Sequence, residues 1–152
     1  MTIYQVDAFT DRAFSGNPAG VCILAEQRPD EWMQQVAAEI NASETAFLLR
    51  REEGFDLRWF TPAVEVDLCG HATLASAHLL WESGVSDGRA VITFYTRSGV
   101  LRASRKGKWV ELDFPLEPPR GITAPALLGQ ALDVEPLWVG KNRFDYLVEV
   151  AS

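Results

Sequence analysis

From His71 to Trp81 apolar side chains fall on every side of a helical wheel: Ala72, Leu74, Ala75, Ala77, Leu79, Leu80 and Trp81. A helix that is apolar all round has no face to give to water, so protein or lipid must enclose it. It is far shorter than the ~18–20 apolar residues of a bilayer span, which leaves a buried core helix with the rest of the chain wrapped about it. Gly84 stands where a glycine ends such a helix. Its start is Leu68-Cys69-Gly70-His71-Ala72-Thr73, which has the makings of an anion-binding corner. A helix N-terminus leaves about four N–H groups unpaired and carries the positive end of the peptide dipoles. Gly70 lets a ligand approach that backbone, and such an end holds a carboxylate or phosphate with no further device. His71, in the first turn, can exchange a proton near neutral pH. Taken by themselves, Cys69 equally fits a small buried hydrophobe and His71 a satisfied cap.

The elements that would enclose this helix are read from hydrophobic period and turn chemistry. Ile3 to Phe9 alternates as a first strand, Ser15-Gly16-Asn17-Pro18 is a turn, and Ala19 to Leu24 is a short apolar strand. Pro29-Asp30 opens an amphipathic helix, with Asp30 placed to cap its free N–H groups, and the helix ends near Asn41. Ala46 to Leu49 and Phe55 to Phe60 form a strand pair around Glu52-Glu53-Gly54. Val91 to Thr96, Val100 to Ser104 and Trp109 to Phe114 follow as an antiparallel meander. Pro115, Pro118 and Pro119 then break regular structure, dividing the chain into residues 1–115 and 116–152. Beyond them come a short helix near Pro125 to Leu132 and a strand, at Leu137 to Val139 or Tyr146 to Val150, with nothing left to pair with it. An unpaired apolar edge calls for cover, from another copy as a homodimer or from a missing C-terminal half. The expected fold class is α+β, a curled, mostly antiparallel sheet around the helix at 71–82.

Composition narrows the function. Hydrophobic residues at 47% and charged residues at 23% of 152 exclude a disordered chain. A formal net charge of −7 with no Lys/Arg run repels phosphate backbones and argues against nucleic acid. Cys22 and Cys69 make neither a disulfide framework nor a metal-ligand spacing, and with two histidines no metal site is expected. No signal peptide or membrane span is visible, so the expectation is a cytoplasmic protein with free thiols. The glycine spacing matches no dinucleotide or P-loop fingerprint, so no cofactor is indicated.

Further residues bear on chemistry. Glu44 lies between small polar residues just before an apolar strand. Partial desolvation there would raise its pKa and let it act as acid and base in turn, whereas a solvated loop carboxylate would be inert. Asn17, in a tight turn, could donate its amide to a ligand oxygen. Asp56, Arg58, Glu65 and Asp67 read as solvated charges, and the pair Glu65 and Asp67 as a glycosidase dyad has no other support.

The order of Val6-Asp7-Ala8-Phe9, Gly16-Asn17-Pro18-Ala19, Ser43-Glu44-Thr45-Ala46-Phe47, Arg58-Trp59-Phe60-Thr61-Pro62 and Cys69-Gly70-His71-Ala72-Thr73 resembles the N-terminal half of the phenazine-biosynthesis PhzF-like isomerase family. The resemblance covers most of residues 3 to 115. It implies a diaminopimelate-epimerase-like fold of two similar halves, with helix N-termini facing a ligand in the cleft between them. It implies cofactor-independent proton shuffling on a small carboxylate-bearing substrate, a dihydro-hydroxyanthranilate in the phenazine enzyme. By the same resemblance Glu44 is the acid/base and His71 a substrate contact or proton partner. Backbone N–H groups around Gly70, Ala72 and Thr73, with Asn17, would hold the anionic group. The family's second half is absent beyond its first strand or two. Cys69-Gly70-His71 is also similar to the thiol corner of proline-racemase and diaminopimelate-epimerase relatives, where a thiolate takes the α-proton. A non-catalytic anion-binding module is the third reading.

Overall fold

The computed structural model describes residues 2–88 and 91–151, which form two compact units, Met1–Phe114 and Pro115–Ser152. The first is an α+β unit. Its elements are β1 (Ile3–Ala8), β2 (Asn17–Leu24), α1 (Asp30–Ile40), β3 (Glu44–Arg50), β4 (Phe55–Phe60), β5 (Glu65–Val66), α2 (Gly70–Glu82), β6 (Ile92–Thr96), β7 (Gly99–Lys106) and β8 (Trp109–Asp113). The strands lie in the order β1-β2-β3-β4-β6-β7-β8, with β5 added to β4. Most neighbours are antiparallel, and the parallel pairs are β2 with β3 and β4 with β6. A parallel pair needs a crossover, and each of these carries one of the helices, α1 and α2.

Strand alternation sorts the side chains between those helices. Ala19 and Val21, Ala46 and Leu48, and Leu57 and Trp59 join the cluster that encloses α2. Cys22 and Leu24, Phe47, and Phe60 pack with Met33 and Ala37 of α1. Successive residues point to opposite faces, so a sheet covered on both sides reads as continuous apolar runs. The expectation for α2 holds: Ala72, Ala75, Ala77, Leu79, Leu80 and Trp81 are all buried. Its buried hydroxyls are satisfied locally, since Ser76 Oγ donates to the Ala72 carbonyl at 2.7 Å and Thr73 Oγ1 to that of Cys69 at 2.5 Å. Gly84, at φ +70°, follows the helix end and donates its N–H to the Trp81 carbonyl.

Differences from the sequence expectations have local causes. Asp30 does not cap α1. Pro29 holds the cap position, its carbonyl accepts from the N–H of Trp32 and Met33, and the Asp30 carboxylate bonds Arg58 at 2.6 Å instead. β2 and β3 each begin two residues earlier than their apolar runs, at Asn17 and Glu44, because pairing with Ala8 and Ala19 extends the ladders.

The second unit contains β9 (Arg120–Gly121), α3 (Leu128–Leu132), β10 (Trp138–Lys141) and β11 (Tyr146–Glu149). Both alternatives for the last strand form, and they pair: β10 is antiparallel to β11 and to β9. The expected unpaired ending is therefore corrected. Asn142 makes the hairpin, its side-chain oxygen accepting from the N–H of Phe144 and Asp145 at 2.9 and 2.8 Å. Among the described residues no helix is long and apolar enough to cross a membrane.

Candidate active site

Glu44 is the first residue of β3 and shares strand parity with Ala46 and Leu48, so it faces α2. Its Oε2 stands 3.3 Å from Nε2 of His71, with the two side chains only 21% and 10% exposed. The other ring nitrogen, Nδ1, lies 3.4 Å from Cys69 Sγ. One donor atom each from Glu44, Cys69 and His71 falls within 4.8 Å of the others. His71 Nε2 is buried and makes no hydrogen bond, although the Glu44 carboxylate stands 3.3 Å away. Carboxylate and imidazole thus face each other with Nε2 of the ring unsatisfied.

Cys69 occupies the N-cap position of α2 with extended backbone, φ −147° and ψ 114°. Burial pushes its thiol up to about 12, and the Glu44 carboxylate adds to the rise while the Ala72 and His71 amides oppose it. A thiol so held is disfavoured as a thiolate, which counts against the racemase reading. Cys22 is buried under α1, on the sheet face away from Cys69. Native-state alkylation of Cys69 at pH 7.5 is therefore expected to run roughly a hundredfold or more below an unperturbed thiol. The fold disfavours the thiolate, so the rate should keep climbing as pH rises past 9. Mass-spectrometric labelling that levels off near pH 9 would contradict this.

The N–H groups of Gly70, His71 and Ala72 precede the first intrahelical bond of α2. That bond is made by Thr73, whose N–H donates to the Cys69 carbonyl at 3.3 Å and whose side chain is fully buried. Thr73 therefore offers no free donor, which corrects the expectation that it holds an anion through its amide. Gly70 needs no side-chain freedom for the fold, since a Cβ there would meet only the Phe114 ring at 3.7 Å, an ordinary contact. Gly70→Ala should keep the thermal midpoint of the wild type and raise the KM or Kd for a carboxylate ligand several-fold. A fall in stability with unchanged affinity would reverse the assignment.

Asn17 sits at the same end of β2, two residues before Ala19, the parallel partner of Glu44. Its Oδ1 accepts from Ser43 Oγ at 3.1 Å, tying the two loops that lead into β2 and β3.

Sequence reasoning missed the support beneath this corner. Arg58 Nε and Nη2 donate to both oxygens of Glu65 at 2.7 Å, and Arg97 adds a 2.6 Å contact. Glu65, only 10% exposed, is thus no solvated charge, and with its oxygens taken by two arginines it is no half of a glycosidase dyad. Ser98 Oγ donates to the Asp67 carbonyl at 2.8 Å, so the segment 65–67 that enters Cys69 is pinned at both ends.

A sequence profile of the phenazine biosynthesis-like protein family, PhzC-PhzF, matches residues 6–126. The chain belongs to this family. Among PhzF-like relatives it is 59% identical over 151 residues to an uncharacterized isomerase of Halalkalibacterium halodurans, covering 99% of this chain and 57% of that protein. The crystal structure of a PhzF family protein of Enterococcus faecalis aligns with a TM-score of 0.81 at 39% identity, over 96% of this chain and 55% of that one. A probable proline racemase of Agrobacterium radiobacter shares the fold alone, with a TM-score of 0.55 at 15% identity over 89% and 48% of the two chains. The fold is thus diaminopimelate-epimerase-like, and this PhzF-like chain spans about half the length of the relatives it matches.

Proposed function

We propose that this chain carries the acid/base wall of a cofactor-independent isomerase acting on a small carboxylate-bearing substrate. The carrying observation is the 3.3 Å juxtaposition of the Glu44 carboxylate and the unsatisfied His71 Nε2 at the N-terminus of α2. The substrate carboxylate accepts from the N–H groups of Gly70, His71 and Ala72, where the helix dipole favours an anion. Asn17 contributes a further amide contact. Glu44 then takes a proton from a nearby substrate carbon, the C–H electron pair moves into the adjacent π system, and Glu44 returns the proton to a different carbon. His71 orients the Glu44 carboxylate or the substrate, and shares the proton between the two steps. Nothing is gained or lost over the cycle, as isomerisation requires. The opposing wall comes from the remainder of a full-length protein or from a second copy.

The test is solvent hydrogen exchange. Full-length protein in D₂O should place deuterium on carbon of a cyclic or amino-acid carboxylate, and Glu44→Gln should not. A ligand held tightly by the wild type with no exchange would replace this reading with a non-catalytic anion-binding module.

A further inference from the structure

We propose that Glu44, Cys69 and His71 also form a three-ligand site for a thiophilic divalent cation of the zinc class, whose occupancy withdraws Glu44 from proton transfer. The second clause rests on the isomerase reading above; the cation site itself does not.

Carboxylate, thiolate and imidazole are the ligand types zinc takes, and three protein ligands with one open position are a common arrangement for it. Zinc–sulfur and zinc–nitrogen bonds of about 2.3 and 2.0–2.1 Å place neighbouring tetrahedral ligand atoms about 3.3–3.6 Å apart. Glu44 Oε2 lies 3.3 Å from His71 Nε2 and Cys69 Sγ lies 3.4 Å from the other ring nitrogen, Nδ1, and one donor atom from each of the three residues falls within 4.8 Å of the others. Small side-chain rotations would bring one ring nitrogen, the sulfur and one carboxylate oxygen onto a single ion. A sign of a missing ligand is His71 Nε2, which belongs to a side chain only 10% exposed, stands 3.3 Å from the Glu44 carboxylate and makes no hydrogen bond. A thiol and a single carboxylate select against Mg²⁺ and Ca²⁺, which demand oxygen cages. The positive end of α2 opposes a cation, and two anionic ligands offset it. On binding, the Cys69 S–H bond breaks, its proton leaves to solvent, and a sulfur–metal bond forms with no change of oxidation state.

The experiment is a Co²⁺ titration of the full-length protein, followed by visible and near-ultraviolet absorption. One equivalent should produce tetrahedral cobalt bands and a sulfur-to-cobalt charge-transfer band, both displaced by Zn²⁺. Cys69→Ser should abolish the charge-transfer band and weaken binding at least tenfold, while Cys22→Ser should leave both unchanged. Zn²⁺ should further slow the already slow labelling of wild-type Cys69 by N-ethylmaleimide, followed over long incubation, which reads the same bond without any variant. Absence of the charge-transfer band, its survival in Cys69→Ser, or unprotected Cys69 at saturating Zn²⁺ would overturn the proposal. The titration needs no substrate, so it fails or succeeds separately from deuterium exchange.

Discussion

Glu44→Gln is expected to cut deuterium incorporation at carbon by about 10²–10⁴-fold while leaving ligand affinity within a few-fold. The substitution keeps the side chain's length and its contact with His71 but removes the basic oxygen. The amides of Gly70, His71 and Ala72, proposed to hold the anion, belong to the backbone of α2 and are not altered. The loss should therefore fall on kcat, the signature of an interaction used in the transition state. Glu44 makes no other salt bridge among the described residues, so the variant should unfold with the wild type. Retention of more than a tenth of the wild-type exchange rate would sink the assignment of Glu44. Loss of exchange together with loss of folding would be resolved by Glu44→Asp, which keeps the charge and should recover part of the rate.

Arg58→Leu is expected to lower the free energy of unfolding by about 2–4 kcal/mol. Arg58 supplies both hydrogen bonds that run edge-on to the Glu65 carboxylate, and bidentate pairs of this kind are the strong ones. Removing one partner strands a nearly buried charge. Arg97 remains on Glu65 and moderates the cost, which places the expectation below that of a wholly abandoned ion. The Asp30 contact of Arg58 is exposed and should contribute little. Replacing both members, Arg58→Leu with Glu65→Leu, should recover most of the loss, because the desolvation cost goes with the pair. Urea unfolding monitored by tryptophan fluorescence measures each term. A single variant within 0.5 kcal/mol of wild type, or a double variant no better than the single, would show the clamp to be dispensable.

The sequence and the fold contribute unequally to these expectations. α2 was legible because an all-round apolar helix of that length has one soluble solution, burial, and because Gly70 and Gly84 punctuate its ends. Glu44 and His71 could be named from motif order, yet their meeting could not be derived from spacing. It depends on the parallel register that sets Ala19 against Glu44 and on the β4–α2–β6 crossover that swings the helix end over β3. Parallel pairs have no local turn to announce them, which is why the sequence reading of a mostly antiparallel sheet did not locate these two pairs. Asp30 looked like a cap because capping is the commonest local use of such a residue. A guanidinium 28 residues away in sequence claimed it instead. Asn142 was the opposite case, a local side-chain turn present in the sequence and overlooked, which turned an orphan strand into a hairpin.

By itself the sequence determined the elements whose causes are local: the amphipathic α1, the buried α2 and the glycine-punctuated meander. Tertiary structure alone decided which polar groups are solvated and which are committed. It turned Glu65 from a surface charge into the centre of an arginine clamp, spent the Thr73 amide on the helix, and gathered Glu44, Cys69 and His71 within 4.8 Å. The reason is physical: strand parity and helix period fix the direction of a side chain, but only pairing register and packing fix what it meets and whether water is left there.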